Sequence, residues 1–196
     1  MAFIDTVSNG EAVGPVAKLY ETDRINLGYV ANYTRIFAHR PAVYEAWQKL
    51  RAAITESMDP RRYELVTLAA ARAVRSSYCT LAHGKVLAER FFETASVREI
   101  VTDHRSAGLD AVDVAVMDLA ETVARDAGAV TQTDVERLRD VGLSDVEIFD
   151  VVAAAAARCF FSKVLDALGV EPDASFGTLE PELRDALTVG RPIAEP

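Results

Sequence analysis

A thiol and an imidazole stand four residues apart in the stretch RSSYCTLAHGKVL, at Cys79 and His83. On a helix, positions 76, 79 and 83 form one stripe, so Ser76, Cys79 and His83 would share a face. An imidazole one turn beyond a thiol can take its proton or stabilise its thiolate. The thiolate is the reactive form, and a free cysteine with a pKa of ~8.5 is mostly protonated at neutral pH. A helix beginning near Ser77 would also put Cys79 in its first turn, where the dipole favours negative charge by ~0.3–1 kcal/mol. A redox dithiol would carry its second cysteine at position 76. Ser76 stands there, and a hydroxyl closes no disulfide. By spacing alone, the same residues fit an inert cysteine buried in a helical core.

Other groups that could do chemistry are few. Cys159 could resolve an oxidised Cys79 only if the two Cα atoms came within ~7 Å; otherwise it is a core thiol. His39, before Pro41, is expected at the surface. His104 reads as a helix-end residue favoured by the dipole. The three histidines lack metal-ligand spacing, and no metal or cofactor is expected. Tyr44, Trp47 and Leu50 fall at helical spacing and read as core.

These side chains must be positioned by helices. Asp59 before Pro60 is an N-cap followed by proline at the first helical position. Ser96 with Glu99, Thr133 with Glu136 and Ser144 with Glu147 have capping-box spacing. Asp110 reads as a further cap, and Gly142 and Gly169 sit where helices should stop. About eight helices are predicted, near 13–27, 41–57, 60–75, 78–91, 96–104, 110–126, 133–140 and 144–168, and no alternating segment suggests a sheet. The fold class is all-α: a helical domain over 1–170, then a proline-containing arm over 171–196 around the short helix PELRDAL. Such an arm is expected to pack on a neighbouring subunit or to be mobile. An echo at an offset of 83 aligns ELVTLAAARAVRSSYC with EIFDVVAAAAARCFFS, a weak sign of two related helices.

Half of the residues are hydrophobic, enough for a sizeable core, and the formal net charge is −9. That balance argues against a nucleic-acid partner, which wants a basic face. No run approaches the ~20 apolar residues of a membrane span. With no signal-peptide pattern and only two cysteines, a cytoplasmic location is the expectation, with no membrane partner.

Glu64, Ser76, Tyr78, Cys79 and His83 together resemble the motif of the AhpD-like alkylhydroperoxidases in the carboxymuconolactone decarboxylase superfamily. In that pattern a glutamate lies twelve residues before a Cys-x-x-Cys, and a histidine lies four after the second cysteine. The stretch GYVANYTRIFAHRPAVYEAWQKL is similar to the segment preceding the motif in peroxidase-related members, and the resemblance runs over roughly 13–170. It implies a homo-oligomer, trimer or hexamer, and a relay in which Glu64 and His83 activate Cys79 to attack a hydroperoxide. It also implies a sulfenic acid on Cys79, resolved at the position held here by Ser76 and then reopened by a thiol reductant. The departure at Ser76 leaves resolution to Cys159 or an external thiol. A decarboxylase-like enzyme acting on a small lactone and a non-catalytic oxidation-sensing oligomer are the alternatives. Glu64 can reach His83 only if the chain reverses near Ser76, because twelve residues of unbroken helix span ~18 Å.

Overall fold

A computed structural model describes residues 2–195. Among them are ten α-helices and no strand: α1 (Gly14–Leu27), α2 (Asn32–Phe37), α3 (Pro41–Thr55), α4 (Pro60–Ala73), α5 (Ser77–Arg90), α6 (Thr94–Asp103), α7 (Ala111–Asp126), α8 (Gln132–Asp140), α9 (Asp145–Ala167) and α10 (Pro181–Leu187). Among the described residues no helix is long and apolar enough to cross a membrane.

Local signals set most of the boundaries. Asp59 accepts from the Arg62 N–H at the start of α4, and Asp110 accepts from Asp113 at the start of α7. Ser144 and Glu147 form the full capping box of α9. Gly142 (φ 100°) and Gly169 (φ 74°) follow α8 and α9 in the left-handed region that stops a helix.

Two caps differ from expectation. The box of α8 is Thr131 with Asp134, not Thr133 with Glu136, because the earlier pair has the same spacing and adds helix. Ser96 lies inside α6, which begins after Glu93 without a side-chain cap. Helix α2 was not expected. It has no cap of its own, but distant carboxylates satisfy its start: Asp23 accepts from the Ala31 N–H (3.0 Å) and Asp173 from the Asn32 N–H (2.8 Å).

The core is built around α4, whose residues 65–71 are all buried. It packs on α5, α7 and α9. The echoed segments diverge where they matter. Arg75 (φ 59°) turns the chain between α4 and α5, whereas Arg158 lies within the unbroken α9.

The C-terminal arm folds back on its own chain instead of reaching outward or staying loose. Leu183 and Leu187 of α10 are fully buried. Leu187 lies over Gly84 of α5, where a Cβ would come within 2.3 Å of its side chain. The Gly190 N–H donates to Ser77 Oγ (2.7 Å), and Arg98 pairs with Glu182. An apolar short helix can stay ordered only by such burial, and α5 and α6 supply the surface.

Candidate active site

The reversal needed between α4 and α5 is made at Val74–Ser76. Arg75 takes the left-handed conformation, and the Ser76 N–H returns to the Ala71 carbonyl (2.9 Å). The two helices then run side by side, and Glu64 meets His83: Oε2 lies 2.5 Å from Nδ1. Two residues nineteen apart in sequence thus form a carboxylate–imidazole pair. With Nδ1–H donating to Glu64, Nε2 is left as the acceptor. Burial lowers the His83 pKa, the Arg158 charge lowers it further, and Glu64 opposes both. The net direction favours the neutral ring at neutral pH.

Cys79 lies one turn before His83 on α5 and is 1% exposed. Arg158 of α9 approaches it, with Nη1 3.5 Å from Sγ. This guanidinium is itself buried, 4% exposed, and lies over the rings of Phe161 (5.4 Å) and Trp47 (5.7 Å). Burial works against the Arg158 charge, but the Cys79 thiol and the Tyr63 hydroxyl facing it more than offset that and hold its pKa up. The contact puts a permanent cation with N–H donors directly beside the sulfur.

Cys79, His83, Glu64 and Arg158 border one cavity of about 300 Å³. Its other wall is aromatic: Tyr33, Tyr44, Trp47 and Phe161 touch one another, with Trp47 and Phe161 centroids 4.4 Å apart. Tyr78 also borders it, its hydroxyl donating to Asp173 of the C-terminal arm. Burial, then the Asp173 charge, raises the Tyr78 pKa well above the ordinary phenol value, so this residue stays neutral. Burial likewise raises the Asp173 pKa.

The sequence brings Glu64, Tyr78, Cys79 and His83 to this cavity but not Ser76. Ser76 is buried beside the Asp166 carboxyl of α9 and is not among the cavity walls. Cys159 is half-buried, also outside the walls, and burial raises its pKa; both cysteines are free thiols. His39 is exposed, with its Nε2 2.7 Å from the Asp5 carbonyl oxygen. His104 ends α6 as expected, but it is buried and paired with Asp118 (2.8 Å). Tyr44 and Trp47, read as core, form the cavity wall. Leu50, also read as core, is half-exposed because it falls on the outer face of α3. Arg158 was not anticipated. The available signal was a lone cation inside the apolar run AAAAARCFF. Among the described residues no His, Cys, Asp and Glu side chains cluster to hold a metal ion.

Residues 41–122, which include Glu64, Cys79 and His83, match the model of the carboxymuconolactone decarboxylase family. This segment belongs to that family. The chain has the AhpD-like fold over most of its length. It superposes on the AhpD-core, peroxidase-related protein of Ralstonia eutropha JMP134 with a TM-score of 0.80 at 20% identity, covering 89% of this chain and 94% of that one. A peroxidase-related protein of Silicibacter sp. TM1040 gives 0.75 at 20% identity, with 90% and 91% covered. A cysteine-to-alanine variant of the debrominase Bmp8, in complex with 2,3,4-tribromopyrrole, gives 0.71 at 14% identity, with 93% and 94% covered. At these identities the likeness is one of fold. No curated protein matches the sequence.

Proposed function

We propose that this carboxymuconolactone decarboxylase family chain is a thiol oxidoreductase that reduces a small hydroperoxide through Cys79. The observation that carries this reading is the convergence on one cavity of the thiol, its guanidinium neighbour and a carboxylate-oriented neutral imidazole. His83 Nε2 takes the thiol proton, and Arg158 holds the resulting thiolate. The sulfur attacks the distal peroxide oxygen, the O–O bond breaks, and His83 returns the proton to the departing alkoxide. The products are an alcohol and a Cys79 sulfenic acid.

With Ser76 at the partner position, an external thiol attacks the sulfenic sulfur and releases water. A second thiol then reduces the mixed disulfide, giving back Cys79 and a low-molecular-weight disulfide. This cycle suits a reducing, cytoplasmic setting.

A second reading is favoured by the aromatic cavity and by the halopyrrole-bound relative: reductive removal of bromine from a small ring, in which two thiols supply the electrons and leave as a disulfide. One experiment separates the two. Folded protein is given one equivalent of cumene hydroperoxide, and the modified residue is found by mass spectrometry. It is then turned over with excess dithiothreitol and either the peroxide or tribromopyrrole. Sulfenylation at Cys79 with peroxide turnover supports the first reading. Bromide release without peroxide turnover supports the second, and a Cys79 that neither reacts with peroxide nor supports bromide release refutes both.

The homo-oligomer belongs to the same proposal, and α9 offers it a seat. Val146, Phe149 and Phe160 are 68%, 69% and 44% exposed. With Ala153 and Ala156 they repeat at three-and-four spacing along one stripe. An antiparallel second copy would set Phe149 against Phe160 and Ala153 against Ala156. It would also bring Lys163 to the acidic start of the partner's α9, where Asp145 and Glu147 lie. That is the self-complementarity a two-fold contact requires.

A further inference from the structure

The ionic groups around the cavity divide into pairs, with one left over. Glu64 is engaged by His83, and Arg158 faces Cys79. Arg51 of α3 also borders the cavity. Its guanidinium lies 6.0 Å from the Trp47 ring centroid, and among the described residues it makes no ion pair. It is exposed, so it stands at the mouth, while the 1%-exposed Cys79 lies at the floor. The aromatic wall lines the same cavity. Trp47 therefore has guanidiniums near its ring at both depths, Arg51 outside and Arg158 within. Set against Glu64, whose partner His83 is neutral, the two guanidiniums leave one uncompensated positive charge while Cys79 is a thiol.

A cavity of about 300 Å³ is at the small end of ligand pockets, large enough for one or two rings. Flat faces on the wall select a flat ring, because offset stacking rewards planarity. A fixed cation at the rim selects an anionic group at the end of the ligand remote from the sulfur.

We propose that the cavity takes a small planar aromatic monoanion, its acid group on Arg51, its ring against Trp47 and its opposite edge toward Cys79. The proposal deepens the reading of this cavity as the working site of Cys79 and names the class of molecule it admits. The anion and the Cys79 thiolate are held by different guanidiniums, so a bound acid leaves Arg158 to the sulfur.

Trp47 is the only tryptophan in the chain, so indole fluorescence reports this wall alone. The test titrates the protein with benzoate, benzamide and cyclohexanecarboxylate, in the wild type, Cys79→Ala and Arg51→Gln. Benzoate is expected to give a saturable change. The neutral amide should bind about tenfold or more weakly, the scale of one lost charge-assisted contact, and the non-planar acid about two- to tenfold more weakly, the scale of one lost ring pairing. Arg51→Gln should weaken benzoate by a similar factor and erase its advantage over benzamide. Because Arg51 is exposed, this variant is expected to fold, which circular dichroism checks. Equal binding of benzoate and benzamide, an unaltered Arg51→Gln, or no saturable signal would overturn the proposal.

The Cys79→Ala arm keeps this result apart from the chemistry. Benzoate selectivity retained in that variant supports the anion site whatever the thiol does. A peroxide-reactive Cys79 in wild type that shows no benzoate preference overturns the anion site alone.

Discussion

At the scale of single residues, the decisive pair is Glu64 with His83. The carboxylate fixes which ring nitrogen carries the proton and leaves Nε2 free to act as a base. Replacing His83 with Gln should lower kcat/KM for peroxide by about 10²–10⁴, the usual contribution of a positioned acid–base group. Glu64→Gln should cost less, because the amide can still accept from Nδ1 but no longer balances a protonated ring. Steady-state kinetics on the two variants checks the order.

The same pair sets a pH dependence. Burial and Arg158 depress the folded-state pKa of His83. Below about pH 6.5 the unfolded chain therefore gains a proton at this position that the native state refuses. Stability is full above that value and falls as pH drops toward the folded pKa. The acid limb of kcat/KM should likewise lie below about 6.5. Denaturant titrations and rate profiles between pH 4.5 and 8 measure both, and a rate limb above 6.5 would contradict the assignment.

At the scale of elements, the α4–α5 turn and the C-terminal arm hold the site in shape. A left-handed residue costs an ordinary side chain about 1–2 kcal/mol, so Arg75→Gly should stabilise by up to that amount. Gly190 tests the arm. A Cβ there would lie 2.2 Å from the Arg75 carbonyl oxygen, which is backbone and cannot swing away. Gly190→Ala should therefore lift the arm end off α5 and lower stability, as thermal unfolding would show. Leu187→Ala, which empties the space over Gly84, should cost about 2–5 kcal/mol. Both changes act on α5, the helix that carries Cys79 and His83. Activity should therefore fall with them even though neither residue borders the cavity.

At the scale of the whole molecule, the exposed stripe of α9 lies on the helix that also supplies Arg158. Apolar side chains aligned on one outer face are the kind of surface a partner covers. Phe149→Asp should shift the protein toward monomer in sedimentation equilibrium while leaving its helical signal intact. An unchanged mass distribution would remove α9 as the contact. Since Phe149 is remote in sequence from Cys79 and outside the cavity, loss of peroxide turnover on dissociation would mean that assembly steadies α9 and, through it, Arg158.

The sequence by itself determined most of the helices, α2 excepted, and the axis of the site. Asp59, Asp110 and Ser144 cap helices through neighbours three residues away, and Gly142 and Gly169 end them. The alignment of Cys79 and His83 follows from helical pitch. These are interactions within a turn or two, so spacing encodes them. The meeting of Glu64 with His83 was legible once a reversal near Ser76 was required. The tertiary structure decided the rest. Arg158 reaches Cys79 from 79 residues away, Asp23 and Asp173 cap α2 from other parts of the chain, and the arm turns inward onto Gly84. Ser76 faces Asp166, outside the cavity that its neighbour Cys79 borders. None of these has a fixed offset, because each depends on how separate helices pack, and packing is set by the whole buried surface rather than by any one segment.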